Sequence, residues 1–212
     1  MDKTVLLLIR HGETIANREN IFRGRMDFPL NDNGIIQAKN LAEELSSFSI
    51  NAIYSSPLLR ALDTAKVIAQ TTKNKIEIST ALTNISLGDW EGVPHTEIIR
   101  KYSEQYNLWR TEPEKLKIPG AETLSDVQKR SVDEVNRIVR IHTNSTIAIT
   151  SHRAVLKPLI AGLIGIAEPY FWKIHIDNAA YCVVHHTQLR GYTLYQLNHN
   201  EHLTDFVEED LG

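Results

Sequence analysis

The sequence of this 212-residue chain predicts an α/β fold: a three-layer α/β/α sandwich with a mostly parallel sheet, an antiparallel edge strand and an inserted helical lid segment. Two observations lead to this prediction. Short apolar runs alternate with amphipathic helical stretches, a pattern typical of parallel strands connected by helices. The last two strand-like runs are separated only by a short turn that contains Gly191, which indicates a closing hairpin.

Five strands are predicted, of which the first three are short and largely apolar, as expected for strands buried on both faces of a parallel sheet. They cover residues 4–9, 51–55, 146–150, 180–186 and 192–197. Apolar residues at helical spacing predict helices over residues 34–46, 58–68, 124–138 and 154–164. Pro57 stands just before the second of these helices, at a position that a helix start tolerates.

Residues 83–123 fit this alternation poorly. The stretch contains Pro94, Pro113 and Pro119, several charged residues and one predicted helix over residues 95–106. We interpret it as an insertion over the sheet that serves as a lid or specificity element. Residues 1–212 are then expected to form a single domain, with this insertion at about residues 83–123.

Composition excludes several classes of protein. Hydrophobic residues make up 42% of the chain and the formal net charge is -3, so neither a disordered chain nor a strongly basic nucleic-acid-binding protein is expected. The single cysteine, Cys182, excludes an internal disulfide framework and a zinc site built on several thiolates. The apolar run at residues 5–9 is too short for a signal peptide or a membrane span. We therefore expect a cytoplasmic protein with no nucleic-acid or membrane partner.

Two of the predicted buried strands are followed by a histidine. Arg10 and His11 come at the end of the first strand, His152 follows the strand at residues 146–150, and Arg60 lies one helical turn beyond the strand at residues 51–55. In open α/β sheets, ligand sites form beyond the carboxyl ends of the strands. These four residues are therefore expected to converge at one edge of the sheet.

Two histidines and two arginines in one pocket suit phosphate chemistry. Guanidinium groups match phosphate oxygens bidentately, and a neutral imidazole is a good nucleophile towards phosphorus. The charges of Arg10 and Arg60 would also lower the pKa of His11 and help to keep it neutral. For any one of these residues alone, a hydrogen-bonded position in the core is the simpler interpretation. Four such residues at three strand ends instead favour a phosphate site.

The motifs around these residues resemble those of the histidine phosphatase superfamily, the phosphoglycerate mutase-like proteins. The segment LIRHGET at residues 8–14 is similar to the family signature, and YSSPLLRALDTA at residues 54–65 is similar to its second arginine motif. Further similar segments follow in order at residues 17–24, 27–30, 34–38, 87–92, 119–123, 151–152 and 177–181. The resemblance covers essentially the whole chain.

The resemblance implies that His11 attacks the phosphoryl group and becomes a phosphohistidine, while Arg10, Arg60 and His152 hold the phosphate oxygens. It implies no organic cofactor and no metal, and it makes a homodimer an expectation because dimers are common in the family. Residues expected to contact the phosphate or the rest of the substrate are Asn17, Arg23, Gly24 and Arg153.

One position departs from the family pattern. Members of this type usually have a glutamate as general acid where this chain has Asn84, and an amide cannot give up a proton at neutral pH. The other branch uses an aspartate directly after the second histidine, where this chain has Arg153. Three interpretations follow: another carboxylate acts, the leaving group needs little protonation, or turnover is weak. The candidate carboxylates are Glu13, Asp89 and Glu91.

The function that we predict is hydrolysis of a small phosphorylated metabolite. Mutases of this family are usually longer than 212 residues, so a phosphoglycerate mutase-type phosphotransferase is the second choice. A phospholigand-binding protein with weak or no turnover is the third. Several basic and aromatic residues of the insertion are either a solvated surface or a site for a second anionic group of the substrate; they are Arg100, Lys101, Arg110, Lys115 and Lys117 with Trp90, Tyr102 and Trp109.

Overall fold

The computed structural model describes residues 3–205, which form a six-stranded sheet in the order β3-β2-β4-β1-β5-β6. The strands are β1 (Thr4–Arg10), β2 (Ile50–Ser55), β3 (Ile76–Ile78), β4 (Thr146–Ser151), β5 (Tyr181–Thr187) and β6 (Gly191–His199). Strand β1 pairs in parallel with β4, β4 with β2, and β2 with β3. The closing hairpin adds β5 antiparallel to β1 and the edge strand β6 antiparallel to β5, so the predicted sheet is confirmed.

Helices cover both faces of the sheet and complete the three predicted layers. On one face lie α2 (Asp32–Leu45) and α3 (Leu59–Thr72); on the other lie α6 (Leu124–Ile141) and α7 (Arg153–Ile164). Side chains alternate between the two faces along a strand, so Leu7 and Ile9 of β1 pack towards α2 and α3 while Leu6 and Leu8 pack towards α6 and α7. A short helix, α1 (Ile15–Arg18), follows β1. Within residues 3–205 no helix is long and apolar enough to cross a membrane.

The helix predicted over residues 95–106 is wrong in its extent. Two helices are present instead, α4 (His95–Lys101) and α5 (Ser103–Thr111), and they are separated at Tyr102, whose backbone angles of φ -138° and ψ 50° are not helical. The break lets Ile98 of α4 and Trp109 of α5 both reach the same buried cluster, where the Phe22 ring lies 5.6 Å from that of Trp109. Tertiary packing of aromatic rings therefore decides where the helix ends.

The insertion leaves and re-enters the body of the molecule at one point, which we call the neck and define by Ala81, Ser86, Glu122 and Arg130. The Ser86 amide donates to the Glu122 carboxylate, and the Glu122 amide donates to the Ser86 carbonyl, both at 3.0 Å. Arg130 of α6 donates to that carboxylate at 2.9 Å and to the Ala81 carbonyl at 2.6 Å. These bonds tie the two ends of the segment to each other and to α6.

Candidate active site

The register of the sheet brings the two predicted histidines side by side. Arg10 pairs with Ser151 across β1 and β4, so the next residue on each strand, His11 and His152, emerges at the same edge. Their ring centroids lie 5.2 Å apart, and both side chains are buried. The convergence that the sequence predicted is therefore present for this pair.

The hydrogen bonds of His11 leave one ring nitrogen without a proton. Its Nδ1 lies 2.6 Å from the carbonyl oxygen of Gly12, and because a carbonyl can only accept, Nδ1 carries the hydrogen. In a neutral ring Nε2 then has a lone pair. The backbone is fixed as well: the His11 carbonyl accepts from the Ala179 amide at 3.1 Å, and the Gly12 amide donates to Thr64 at 3.0 Å.

Both imidazoles are held in the neutral form. Burial, followed by the charges of Arg60 and Arg10, lowers the pKa of His11 well below its ordinary value. Burial and the charge of Arg60 likewise lower the pKa of His152 well below the ordinary value. A neutral imidazole at physiological pH is the form that a nucleophile requires.

Of the two predicted arginines, Arg10 lines the site and Arg60 lies behind it. Arg10 donates to the Ile176 carbonyl at 2.7 Å and to the Asn178 side chain at 3.0 Å, which anchors the segment before β5. Arg60 is fully buried and donates to the carbonyls of Gly24 and Met26 at 3.0 and 2.8 Å. It supports the loop that covers the site, and it is not among the described residues that line the cavity itself.

A cavity opens at this edge of the sheet. Of the remaining predicted residues, Arg23, Gly24, Asn84 and Arg153 line it, whereas Asn17 lines a smaller neighbouring cavity. None of the described residues on its wall is an aspartate or a glutamate. The full lining is Arg10, His11, Ile21, Phe22, Arg23, Gly24, Asn84, Ile85, Leu87, His95, Trp109, His152, Arg153 and Ala154.

Gly24 is required by its surroundings. Its φ of 49° lies in the left-handed region, and a Cβ there would come within 2.4 Å of the Glu91 carboxyl group. Glu91 accepts a hydrogen bond from the Leu87 amide at 2.9 Å. This carboxylate thus packs behind the loop and does not line the cavity.

The other two candidate carboxylates are also off the cavity wall. Glu13 is fully buried and accepts hydrogen bonds from Arg18, Asn31 and Asn33 at 2.5, 2.6 and 3.1 Å. These contacts give it a structural role beside α2. Asp89 is not among the described residues of the cavity wall either.

Asn84 lies on the cavity wall, at the position where a carboxylic acid could donate a proton to the leaving group. Its side chain is 7% exposed, and Nδ2 donates to the Gly24 carbonyl at 2.9 Å. Its Oδ1 has no hydrogen-bond partner among the described residues. Among residues 3–205, the cavity wall therefore offers a buried hydrogen-bond acceptor at this point and no carboxylic acid.

Two residues of the site were missed by sequence reasoning. Ser56 Oγ lies 2.8 Å from Nε2 of His152, a contact whose only sequence signal is the Ser-Ser-Pro run after β2. His95 lines the cavity and stacks on Phe22 with ring centroids 4.0 Å apart. It lies in the insertion, where no pattern marked it.

The basic residues of the insertion lie elsewhere. The five that the sequence singled out are exposed, and none lines this cavity; they are Arg100, Lys101, Arg110, Lys115 and Lys117. Of the three aromatic residues considered with them, only Trp109 reaches the cavity wall. No group of three or more His, Cys, Asp or Glu side chains within residues 3–205 is placed to hold a metal ion.

The α/β sandwich, the paired neutral histidines at the strand ends and the cationic cavity define the class of histidine phosphatases. The chain belongs to the histidine phosphatase superfamily (branch 1), whose family model matches residues 6–199.

Similar proteins agree with this assignment. Phosphoserine phosphatase 1 of Hydrogenobacter thermophilus is 34% identical over 204 residues, 96% of each chain. The adenosylcobalamin/alpha-ribazole phosphatase of Escherichia coli is 30% identical and covers 84% of this chain and 88% of its own. A mutant phosphoserine phosphatase from Entamoeba histolytica, solved in complex with phosphoserine, superposes with a TM-score of 0.84 at 28% identity, covering 95% of this chain and 100% of its own. The chain is thus a phosphomonoesterase of the histidine phosphatase type that acts on small metabolites.

Proposed function

We propose that His11 is the nucleophile and that the reaction passes through a phosphohistidine on its Nε2. The observation that carries this proposal is the hydrogen bond from His11 Nδ1 to the Gly12 carbonyl, which leaves Nε2 with its lone pair. The N–P bond forms as the ester P–O bond breaks, and the leaving oxygen takes up a proton. Water then attacks phosphorus, the N–P bond breaks, and inorganic phosphate leaves with Nε2 restored.

The positive charges and hydrogen-bond donors around His11 would stabilise the negative charge on the transferring phosphoryl group, which is usually the largest contribution in such reactions. We assign Arg10, Arg60 and His152 to this role. Substrate contacts are assigned to Asn17, Arg23, the Gly24 amide and Arg153. Support comes from the cavity, whose wall includes Arg10, Arg23, Gly24, His152 and Arg153.

The missing acid restricts the substrate. With Asn84 on the wall and no carboxylate beside it in the part of the chain that the structure describes, leaving groups that need little protonation, such as acyl phosphates or acidic alcohols, should be hydrolysed fastest. The same observation favours a second candidate, a phospholigand-binding protein whose turnover is weak. The two candidates differ in how quickly phosphate is released.

One experiment separates these candidates. The protein is incubated with a panel of phosphomonoesters, released phosphate is measured, and intact-mass spectrometry looks for one added phosphoryl group that is absent in His11→Ala. His185→Ala, on β5 and away from the cavity, serves as the matched control. Phosphate release together with a phosphohistidine supports the proposal. If the protein binds the esters but neither releases phosphate nor forms a phosphohistidine, the second candidate, a phospholigand-binding protein, is correct instead.

Hydrolysis is preferred to mutase chemistry because the similar proteins named above are phosphatases that match nearly the whole chain. Offering a phosphorylated small acid together with an unphosphorylated acceptor tests the mutase alternative, since a mutase would transfer the group and release little phosphate. A homodimer and a cytoplasmic location stay predictions of the sequence; light scattering and cell fractionation measure them.

A further inference from the structure

Asn178 contacts both site residues at the end of β1. Its Oδ1 accepts a hydrogen bond from the Arg10 guanidinium at 3.0 Å, and its Nδ2 donates to the His11 carbonyl at 3.0 Å. Because a guanidinium only donates and a carbonyl only accepts, these partners fix which end of the side-chain amide faces which residue. Asn178 is 2% exposed, so these bonds are shielded from water. One buried side chain thus connects the Arg10 guanidinium with the backbone of His11.

The contacts of Asn178 continue to the His11 ring through the Gly12 carbonyl. That oxygen accepts from His11 Nδ1 at 2.6 Å, the bond that leaves Nε2 with its lone pair, and it lies 3.4 Å from Asn178 Nδ2. The His11 carbonyl, one residue earlier, accepts from Asn178 and from the Ala179 amide. The position of the oxygen that selects the ring tautomer therefore depends on a backbone segment that Asn178 holds.

The Arg10 guanidinium is held from the same turn by two acceptors. One terminal nitrogen donates to the Ile176 carbonyl at 2.7 Å, and the other donates to Asn178 Oδ1. Bonds to two different nitrogens fix the plane of a guanidinium as well as its position, and that plane decides which phosphate oxygens the group can meet. Asn178 therefore acts on the orientation of Arg10 and not only on its location.

The turn that carries Asn178 is braced and locally strained. Ala179 has a φ of 55°, in the left-handed region that residues other than glycine rarely adopt. In this conformation its amide donates to the His11 carbonyl at 3.1 Å. The Asp177 carboxylate braces the turn by accepting hydrogen bonds from three side chains, those of His175, Asn198 and Asn200, at 2.7, 2.9 and 2.9 Å. Strain of this kind persists where the surrounding structure imposes it and is concentrated at functional sites, which favours a role in the site over a role in the turn alone.

We propose that Asn178 is a positioning residue for phosphoryl transfer, which sets the orientation of Arg10 and the Nδ1–H tautomer of His11 with one side-chain amide. This inference rests on the proposed function, in which Nε2 of His11 attacks phosphorus and Arg10 holds a phosphoryl oxygen. Asn178 is buried and is not among the described residues that line the cavity, so it acts through these two residues. Its contribution is to align nucleophile and cation before the substrate binds, so that neither has to reorganise during the reaction.

Three variants separate this role from a purely structural one. Asn178→Asp keeps an acceptor for Arg10 but removes the donor to the His11 carbonyl, whereas Asn178→Ala removes both. The matched control is Asn200→Ala, which removes a hydrogen bond to Asp177 in the same turn without touching either site residue. With p-nitrophenyl phosphate, kcat should fall by about tenfold or more in both Asn178 variants, because misaligned groups lose the advantage of orientation. KM should rise in Asn178→Ala and change less in Asn178→Asp, and the control should keep the kcat of the unmodified protein.

The tautomer of His11 is a readout that a change in stability alone would not move. Long-range proton–nitrogen correlation spectra of protein with isotope-labelled histidine distinguish the Nδ1–H form from the Nε2–H form. They are recorded at about pH 8, above the ordinary histidine pKa of ~6.5. We expect only the Nδ1–H form in the unmodified protein and in Asn200→Ala. In Asn178→Asp an oxygen that cannot donate faces the two carbonyls, so the peptide should turn away and the Nε2–H form should appear. Asn178→Ala, which releases the same peptide, should also show it.

The outcomes for the two proposals are distinct. Circular dichroism establishes that each variant is folded, and if Asn178→Asp does not fold, Asn178→Ala decides. A lower kcat together with a changed tautomer supports the positioning role; an unchanged kcat, an unchanged tautomer, or the same changes in Asn200→Ala would overturn it. A phosphohistidine on His11 of the unmodified protein tests the proposed function separately. Changes in kcat and tautomer without any phosphohistidine would refute only the proposed function.

Discussion

Ser56 and His152 share a hydrogen bond: the Oγ of Ser56 lies 2.8 Å from Nε2 of the His152 ring. Ser56 is itself held in place, because its amide donates to the Thr150 carbonyl at 3.0 Å and its Oγ accepts from the Leu58 amide at 3.3 Å. The end of β2 thus fixes the ring that follows β4. We expect Ser56 to be a positioning residue, because it contacts His152 and is not among the described residues that line the cavity.

Replacing Ser56 with alanine should lower kcat by roughly tenfold, because a misplaced catalytic group loses alignment with the reacting atoms. KM should change less. Ser55→Ala is the matched control: Ser55 is equally buried, but its Oγ donates to the Ser56 carbonyl at 2.9 Å and does not touch His152. Steady-state kinetics on one ester decides, and an unchanged kcat for Ser56→Ala would show that His152 needs no such support.

Asn84→Glu should increase kcat for an alkyl phosphate by about tenfold or more, because general acid catalysis typically contributes ~10²–10⁴-fold. Burial beside the Gly24 carbonyl would favour the protonated carboxyl group that an acid needs. The gain should be much smaller for p-nitrophenyl phosphate, whose leaving group needs little protonation. The control is Asn84→Gln: glutamine has the same length as glutamate but no acidic proton, so this variant should show no gain in kcat. A glutamate without effect on the alkyl ester would refute the missing-acid argument.

The His11 ring should stay neutral through the range in which a histidine normally titrates. Its pKa lies well below the ordinary value because of burial, Arg60 and Arg10. In histidine-labelled protein, the His11 imidazole resonances, assigned by their loss in His11→Asn, should not shift between about pH 8 and 5.5, around the ordinary value of ~6.5. Resonances that titrate with a pKa near 6.5 would contradict the conclusion that burial and the two arginines keep the His11 ring neutral.

Lys157 is a buried amine on the second turn of α7. Its Nζ lies 4.6 Å from the ring centroid of Phe171 and 4.9 Å from that of Trp172, and its side chain is 2% exposed. Burial, followed by the charges of Arg153 and Arg10, lowers its pKa to about 6. The folded state therefore holds this amine largely uncharged at neutral pH, which costs stability.

Lys157→Met should raise the free energy of unfolding by about 1 kcal/mol or more, a typical cost of moving a polar group from water into an apolar environment. Between the folded pKa of about 6 and the unfolded value of 10.5, the unfolded chain binds more protons, so the unmodified protein gains stability as pH rises. The advantage of the variant should thus be largest near pH 6 and shrink towards pH 10. Urea denaturation measures it, and the exposed Lys129→Met is the control. A destabilised Lys157→Met would mean that the amine has a favourable partner in the folded state.

Local patterns suffice for the centre of the sheet and for its paired histidines. An apolar run that ends in His11 or His152 defines both the strand and the place where the ring emerges, and parallel pairing then sets the rings together. The hydrogen bond between Ser56 and His152 depends on the register between β2 and β4 and on the turn after β2, which no local pattern encodes.

Features that depend on long-range packing were not predictable. The break at Tyr102 follows from an aromatic cluster assembled from distant segments, and the placement of Arg60 follows from the path of the loop at residues 24–26. Lys157 occupies a core position of α7, where helical periodicity places an apolar residue. Its neighbours Phe171 and Trp172 come from a later loop, so the environment of the amine emerges only in three dimensions.

The neck has a consequence for how this protein can change over evolutionary time. Its bonds between Ser86, Glu122 and Arg130 fix both ends of the intervening segment, yet Leu87, His95 and Trp109 from within it form part of the cavity wall. Substitutions, insertions or exchange of this segment can therefore alter which molecules fit, while the strand ends that carry His11 and His152 are inherited unchanged. In this architecture, substrate preference can therefore diversify while the phosphate chemistry is preserved.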